Sequence, residues 1–139
     1  MNRNETEYIR SPDRVIDELI AKEDWFSGFA NSVTYFEHYG YFAIRAYCVR
    51  EGVELKGKAI NLLRRNSAGN VTLLLRILKI IDDKSYSDMR KIIGERNNLV
   101  HPGRKGLAYR YAKKKDEYTV LLNKAKECIV RVKSQIKLK

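Results

Sequence analysis

Arg96, Asn97 and His101 stand just ahead of Pro102, in a stretch reading GERNNLVHPGRKG over 94–106. A histidine titrates near neutrality, so its imidazole can take a proton from a ribose 2′-hydroxyl. An arginine alongside offers a planar fork of donors to the phosphate, whose charge grows as that hydroxyl attacks. An asparagine can hold either the phosphate or the imidazole by hydrogen bond. Together the three residue types would cleave RNA without a metal, leaving a 2′,3′-cyclic phosphate. One geometric condition applies. On an unbroken helix positions 96 and 101 lie about 140° apart. They share a face only if the helix ends between them, which Pro102 favours, or if two copies of the motif meet across a dimer.

Other chemistries leave no trace. There is no GxxxxGK[ST] or GxGxxG loop for phosphates, no GxSxG elbow, no HExxH and no Cys/His cluster. The two histidines, His38 and His101, lack carboxylates at ligand spacing, so neither a metal nor a cofactor is expected. Cys48 and Cys128 have no ligand spacing either and read as core thiols in a reducing compartment.

The net charge of +11 sits in one half of the chain. Residues 1–70 hold ten Lys/Arg and ten Asp/Glu, whereas residues 71–139 hold eighteen against seven. Between Arg96 and Lys115 there are seven basic residues and no acidic one. A one-sided field of this kind attracts polyanions, and its peak adjoins the motif. Arg104, Lys105 and Arg110, interleaved with Tyr109 and Tyr111, are the candidate RNA-binding residues, through phosphate contact and stacking. A basic surface kept for solubility or heat tolerance would show the same surplus.

The elements that must position these residues are helical. Apolar residues make up 44% of 139, enough for one domain with its own core, and eight glycines and two prolines interrupt little. Residues 1–10 read as a loose polar arm and 11–139 as a single domain. Ser11 and Pro12 form a helix start, followed by Val15, Ile16, Leu19 and Ile20. Phe26, Phe29, Val33, Phe36, Gly40, Ala43 and Tyr47 alternate steps of three and four, with Trp25, Ser32, Tyr35, Tyr39 and Ala46 on the neighbouring face. A short helix carries Ile60, Leu62 and Leu63, NSAGN at 66–70 reads as a loop, and VTLLLRILKIIDD is apolar nearly all round and central to the core, with a strand conceivable over its first six residues. The next helix is expected to start at Ser85 or Ser87 and end near Val100, and the last to run from about Tyr109. No window reaches a membrane span, and no secretion signal opens the chain. The economical architecture is an all-α antiparallel bundle of five to six helices in a cytoplasmic protein.

Arg96-Asn97 followed by His101, within ERNNLVHPG near the end of a penultimate long helix, resembles the R-polar-x3-H signature of the HEPN superfamily (higher eukaryote and prokaryote nucleotide-binding domains). The resemblance covers the motif and the general helical layout. It implies a homodimer whose arginine–histidine pairs face across a shared cleft. It also implies a metal-independent endoribonuclease, often the toxin of a toxin–antitoxin pair with a small nucleotidyltransferase partner. By matching position Arg96 would steady the scissile phosphate, His101 would be the general base or acid, and Asn97 would orient. The alternative within the family is a non-catalytic module that binds a nucleotide or docks the nucleotidyltransferase. In one subgroup a tyrosine two positions after the histidine is adenylylated by that partner; here the position holds Gly103, a departure from that subgroup's pattern.

The bland readings stand beside these. Arg96 could be a helix-face arginine paired with Glu95 or Asp88, and His101 a C-terminal residue favoured by the helix dipole. His38 reads as a packed or half-exposed histidine, and KKKDE at 113–117 as a solvated face. A DNA-binding bundle would need a helix-turn-helix pattern, which is not identifiable here.

Overall fold

The computed structural model describes residues 12–136; the expected polar arm and the Ser11 cap lie outside the described residues. Among the described residues the chain forms six helices and no strand. In chain order they are α1 (Pro12–Ala21), α2 (Trp25–Arg50), α3 (Lys58–Arg64), α4 (Ala68–Ile77), α5 (Asp83–Val100) and α6 (Gly106–Ser134). No helix among them is long and apolar enough to cross a membrane.

Side-chain oxygens set several helix starts by accepting first-turn N–H groups. Asp24 accepts from Ser27 N–H before α2, Ser67 from Asn70 N–H before α4, and Asp82 from Ser85 N–H before α5. The second of these corrects the expected loop at 66–70: Ser67 is the cap, and the glycine and asparagine after it already lie in the first turn. The third corrects the expected start of α5, because the aspartate, not Ser85 or Ser87, is the cap. The apolar run that follows Asn70 is helical in its first half, with Val71, Thr72 and Leu75 buried. Its all-round character does not become all-round burial, since Leu73 and Ile77 are exposed.

α2 is the central helix, in contact with α1, α4, α5 and α6. Its two apolar faces are both covered: Phe29, Val33, Phe36 and Ala43 on one, Trp25, Tyr35, Tyr39 and Ala46 on the other are buried. The buried Ser32 hydroxyl is satisfied by donating to the Gly28 carbonyl at 2.7 Å. Trp25 and Phe29 pack their rings on Tyr118 of α6, at centroid separations of 5.9 and 5.1 Å. All six helices contribute to one connected core, from Ile16 on α1 and Leu63 on α3 to Val132 on α6.

α5 and α6 run antiparallel. Glu95 meets Lys114, Asp88 meets Lys124, and Ser85 accepts from Arg131. Helix α6 then lies alongside α2 in the same sense, with Phe26 at Tyr111 and Arg50 at Gln135. Of the two cysteines, both free, Cys128 is buried and Cys48 half-buried. Burial, and after it the nearby Asp88 carboxylate, pushes the Cys128 thiol up to about 12.

The α2–α4 contact depends on Gly40. A methyl there would stand 2.5 Å from Val71 Cγ1 and 3.3 Å from Leu75 Cδ1. Val71 is β-branched and stiff, so the helices must part to admit it. Overpacking of this kind costs roughly 1–3 kcal/mol, against the about 1 kcal/mol that alanine gains over glycine in a helix. Gly40→Ala is therefore expected to lower the urea midpoint, with its m-value unchanged. Gly28→Ala meets only the flexible end of Leu122 and should cost less. A Gly40→Ala midpoint at or above that of the wild type would contradict the close approach.

Candidate functional site

The motif lies where α5 gives way to α6. Helix α5 ends at Val100; His101 takes φ −124° and ψ 74°, its N–H still donating to the Asn97 carbonyl at 3.1 Å. Pro102 is the reason, because its ring excludes the preceding residue from helical geometry. Gly103 and Gly106 then turn the chain at φ 82° and 79°, a region side chains resist. Helix α6 begins at Gly106, three residues before the expected Tyr109. Its N-cap is Lys105, with no side-chain hydrogen bond to the first turn and no acidic residue in it.

The helix runs unbroken from Arg96 to Val100 and ends only at His101, so the stop falls at the histidine itself and does not by itself bring the two side chains to one face. Arg96 is half-buried, while Asn97 and His101 are exposed. Arg96 Nε donates to Asn97 Oδ1 at 2.9 Å, so the asparagine holds the guanidinium rather than the imidazole. The carboxylates that could have claimed Arg96 are engaged elsewhere, Glu95 with Lys114 at 3.5 Å and Asp88 with Lys124 at 3.8 Å. Glu37 on α2 feels Arg96 electrostatically: burial raises its carboxyl above the ordinary range and the guanidinium draws it partly back. Among the described residues no hydrogen bond or ion pair joins Arg96 to His101. One chain brings Arg96 and Asn97 together and leaves His101 on the corner.

Beyond the corner is a groove of about 320 Å³ whose wall begins at Pro102. Arg104, Lys105 and Arg110, the three basic residues expected to bind RNA, all line it, with Tyr109, Lys113 and Lys114. Four of the five residues expected to form a solvated face, 113 and 115–117, are exposed, and Lys114 is half-buried; Lys113 and Lys114 also line the groove. Tyr109–Lys113 and Arg110–Lys114 are spaced i, i+4 on α6, and that spacing was the signal for them. Only Lys115 of the triplet turns away, to an ion pair with Glu23 beside α1.

The groove is held from beneath. Arg110 Nε donates to the Pro102 carbonyl at 3.2 Å, tying α6 to the corner. The Glu95 side chain is 12% exposed, and its Oε2 is buried without a hydrogen-bond partner. The buried Tyr118 hydroxyl lies beside Arg110 and Glu95 without completing a hydrogen bond of ordinary geometry. Burial, then the Glu95 charge, pushes that phenol up to about 12. Two cations of the groove, Arg110 and Lys114, therefore stand over a nearly buried carboxylate.

Neither tyrosine of this segment is an open stacking platform. Tyr111 turns into the bundle, where its hydroxyl accepts the Phe26 N–H at 2.9 Å. The Tyr109 ring is flanked by Lys105 Nζ at 4.6 Å and Lys113 Nζ at 5.5 Å from its centroid. Its hydroxyl also accepts from Lys113 Nζ at 3.2 Å. The stacking expected of these rings is replaced by a structural contact in one and a lysine bracket in the other. His38 lies apart from the groove lining, its ring edge-on to Tyr39 and Phe42 at 5.0 and 5.1 Å, and burial lowers its pKa.

No family model, curated protein or solved structure matches the chain. The likeness to HEPN domains rests on residues 96–101 and their helical setting.

The bracket has a spectroscopic consequence. The hydrogen bond from Lys113, and after it the neighbouring Lys105 ammonium, hold the Tyr109 phenol below its ordinary range. Folding favours the phenolate, so this contribution to stability is full above the unfolded-chain pKa. It fades as the pH falls through the folded value and is nil at neutrality. In an alkaline absorbance titration, the difference between wild type and Tyr109→Phe should show Tyr109 ionising below free tyrosine. Lys113→Met should move that transition upward; an unmoved transition would mean the bracket does not form.

Proposed function

We propose that the chain is an endoribonuclease that works without a metal, its reacting groups at the α5–α6 corner. The observation that carries this is continuity. His101 directly precedes the residue that opens a groove of five cations with no acidic residue in its lining. The polyanion is drawn to the groove by charge, and the imidazole stands at its end. His101 takes the 2′-hydroxyl proton or protonates the leaving oxygen, Arg96 stabilises the charge growing on the phosphate, and Asn97 fixes Arg96. Arg96 and His101 are not joined within one chain, which favours a homodimer in which each copy completes the other's site. A toxin role, restrained by a nucleotidyltransferase antitoxin, belongs to the same reading.

A second reading is a non-catalytic module that binds a nucleotide or docks a nucleotidyltransferase. It is favoured by the groove lining, which includes none of Arg96, Asn97 and His101 and can hold a phosphate without them.

Labelled RNA incubated with the purified chain in EDTA separates the two. Cleavage to 2′,3′-cyclic phosphate ends is expected, falling by about 100-fold or more in His101→Ala, the usual scale for losing a general acid–base group. Arg96→Ala should be comparably impaired, with RNA binding largely retained. No cleavage at any protein concentration would sink the nuclease and leave the binding module.

A further inference from the structure

Five cations converge on one groove, and their pairing is uneven. Among the described residues no carboxylate lies within ion-pair distance of Arg104, Lys105 or Lys113, while Lys114 reaches Glu95 only at 3.5 Å. Tyr109 holds two ammonium groups against one ring, one of them also by hydrogen bond. Gathering like charges is unfavourable unless a counter-charge joins them. Arg110 is immobilised from below by the Pro102 carbonyl. The groove also adjoins the start of a 29-residue helix whose first turn has neither a side-chain cap nor an acid, a setting that favours an anion.

The size of the groove narrows the anion. A volume of about 320 Å³ lies at the small end of ligand sites and is room enough for one nucleotide. A phosphodiester brings one negative charge per residue, spread along the strand. A terminal phosphomonoester brings close to two, on three acceptor oxygens at a single point. Convergent donors, one of them held by the Pro102 carbonyl, match the second better.

We infer that the groove is a receptor for a phosphomonoester: the 5′-phosphate of an RNA strand, or the phosphate of a free mononucleotide. Lys105, Lys113 and Arg110 hold the terminal oxygens. Arg104 and Lys114 complete the counter-charge, and Tyr109 acts as the bracket that keeps the two lysines together. The inference rests on the nuclease reading only in naming RNA as a carrier; on that reading, the groove selects strands with a phosphorylated end and sets them against His101.

The test uses the whole chain and a fluorescent 2′-O-methyl oligoribonucleotide of about ten nucleotides, which fits one binding site and cannot be cleaved. Binding is compared for 5′-phosphorylated and 5′-hydroxyl forms in EDTA at constant ionic strength, since salt alone shifts such affinities. The phosphorylated form should bind about tenfold tighter or more, the scale of added charge-assisted hydrogen bonds. Lys105→Ala/Lys113→Ala should bring the ratio near one while its circular dichroism stays that of wild type. Lys56→Ala/Lys58→Ala, outside the groove, should preserve the ratio. Displacement of the probe by uridine 5′-monophosphate but not by uridine, without a preference between the oligonucleotides, would assign the site to free nucleotides. No preference and no such displacement overturns the inference. Because the probe resists cleavage, a failure of the nuclease reading leaves this result intact, and RNA cleavage indifferent to the 5′ end leaves the nuclease intact.

Discussion

The local structure around the candidate site depends on the restriction that Pro102 places on His101. A residue before proline is kept out of helical geometry, so α5 cannot continue past Val100. Had α5 and α6 been one rod, the basic run would coat an exposed helix. The stop instead folds the chain back through two left-handed glycines. Arg110 then returns to bond the carbonyl of the same proline, so the residue that ends one helix also anchors the first turns of the next.

That corner is held by the pairing behind it. α5 and α6 are registered at three levels by Glu95–Lys114, Asp88–Lys124 and Ser85–Arg131, and both lie against α2. The carboxylates of these pairs are largely buried, so their desolvation offsets much of the attraction. The pairs' value here is register, because a shift of α6 by one turn would take Arg110 and Lys114 away from Pro102 and Glu95. The apolar contacts set the depth: Tyr118 meets Trp25 and Phe29 of α2, and Tyr111 caps the start of α2 through Phe26 N–H. The tyrosines of α6 nearest the basic run are thus divided by helical phase into a structural pair facing α2 and a bracket facing the groove.

Much of this was legible before any coordinates. The three/four rhythm of α2 gave both of its buried faces, and the proline placed the end of α5 near Val100, where it lies. The three predicted basic residues Arg104, Lys105 and Arg110 do line one groove. What escaped had physical reasons. Gly103 and Gly106 disguised the start of α6, because glycine marks loops by frequency yet Gly106 here opens the helix. Serines near the start of α5 competed as caps with an aspartate three positions upstream of Ser85, and a sequence does not show which oxygen reaches the free N–H groups. Tyr111 and Tyr109 look equivalent in a basic segment, and only packing on α2 separates them. Glu95 could have been Arg96's partner by adjacency; antiparallel pairing with α6 gave it Lys114 instead.

The distribution of partners also bears on whether the basic surface serves solubility or a ligand. On α6 the cations without a carboxylate partner among the described residues sit at both ends: Arg110 and Lys113 at the start, and at the finish Arg131, which donates to Ser85, and Lys133, which lies over the Tyr39 ring. Lys115, Lys124 and Lys126 meet Glu23, Asp88 and Asp17, so the body of the helix uses cations to bind α1 and α5. At its start, Arg104, Lys105 and Lys113 have no carboxylate within reach among the described residues, and the nearest acid, Glu95, is largely buried beneath them. Solubility asks only that charge be outside, and mixed signs serve it well. Collecting Arg104, Lys105 and Lys113 around one concave site, and fixing two of them on a tyrosine, costs repulsion that solubility does not require. An incoming anion removes that repulsion, which is why the charge excess reads as a binding site.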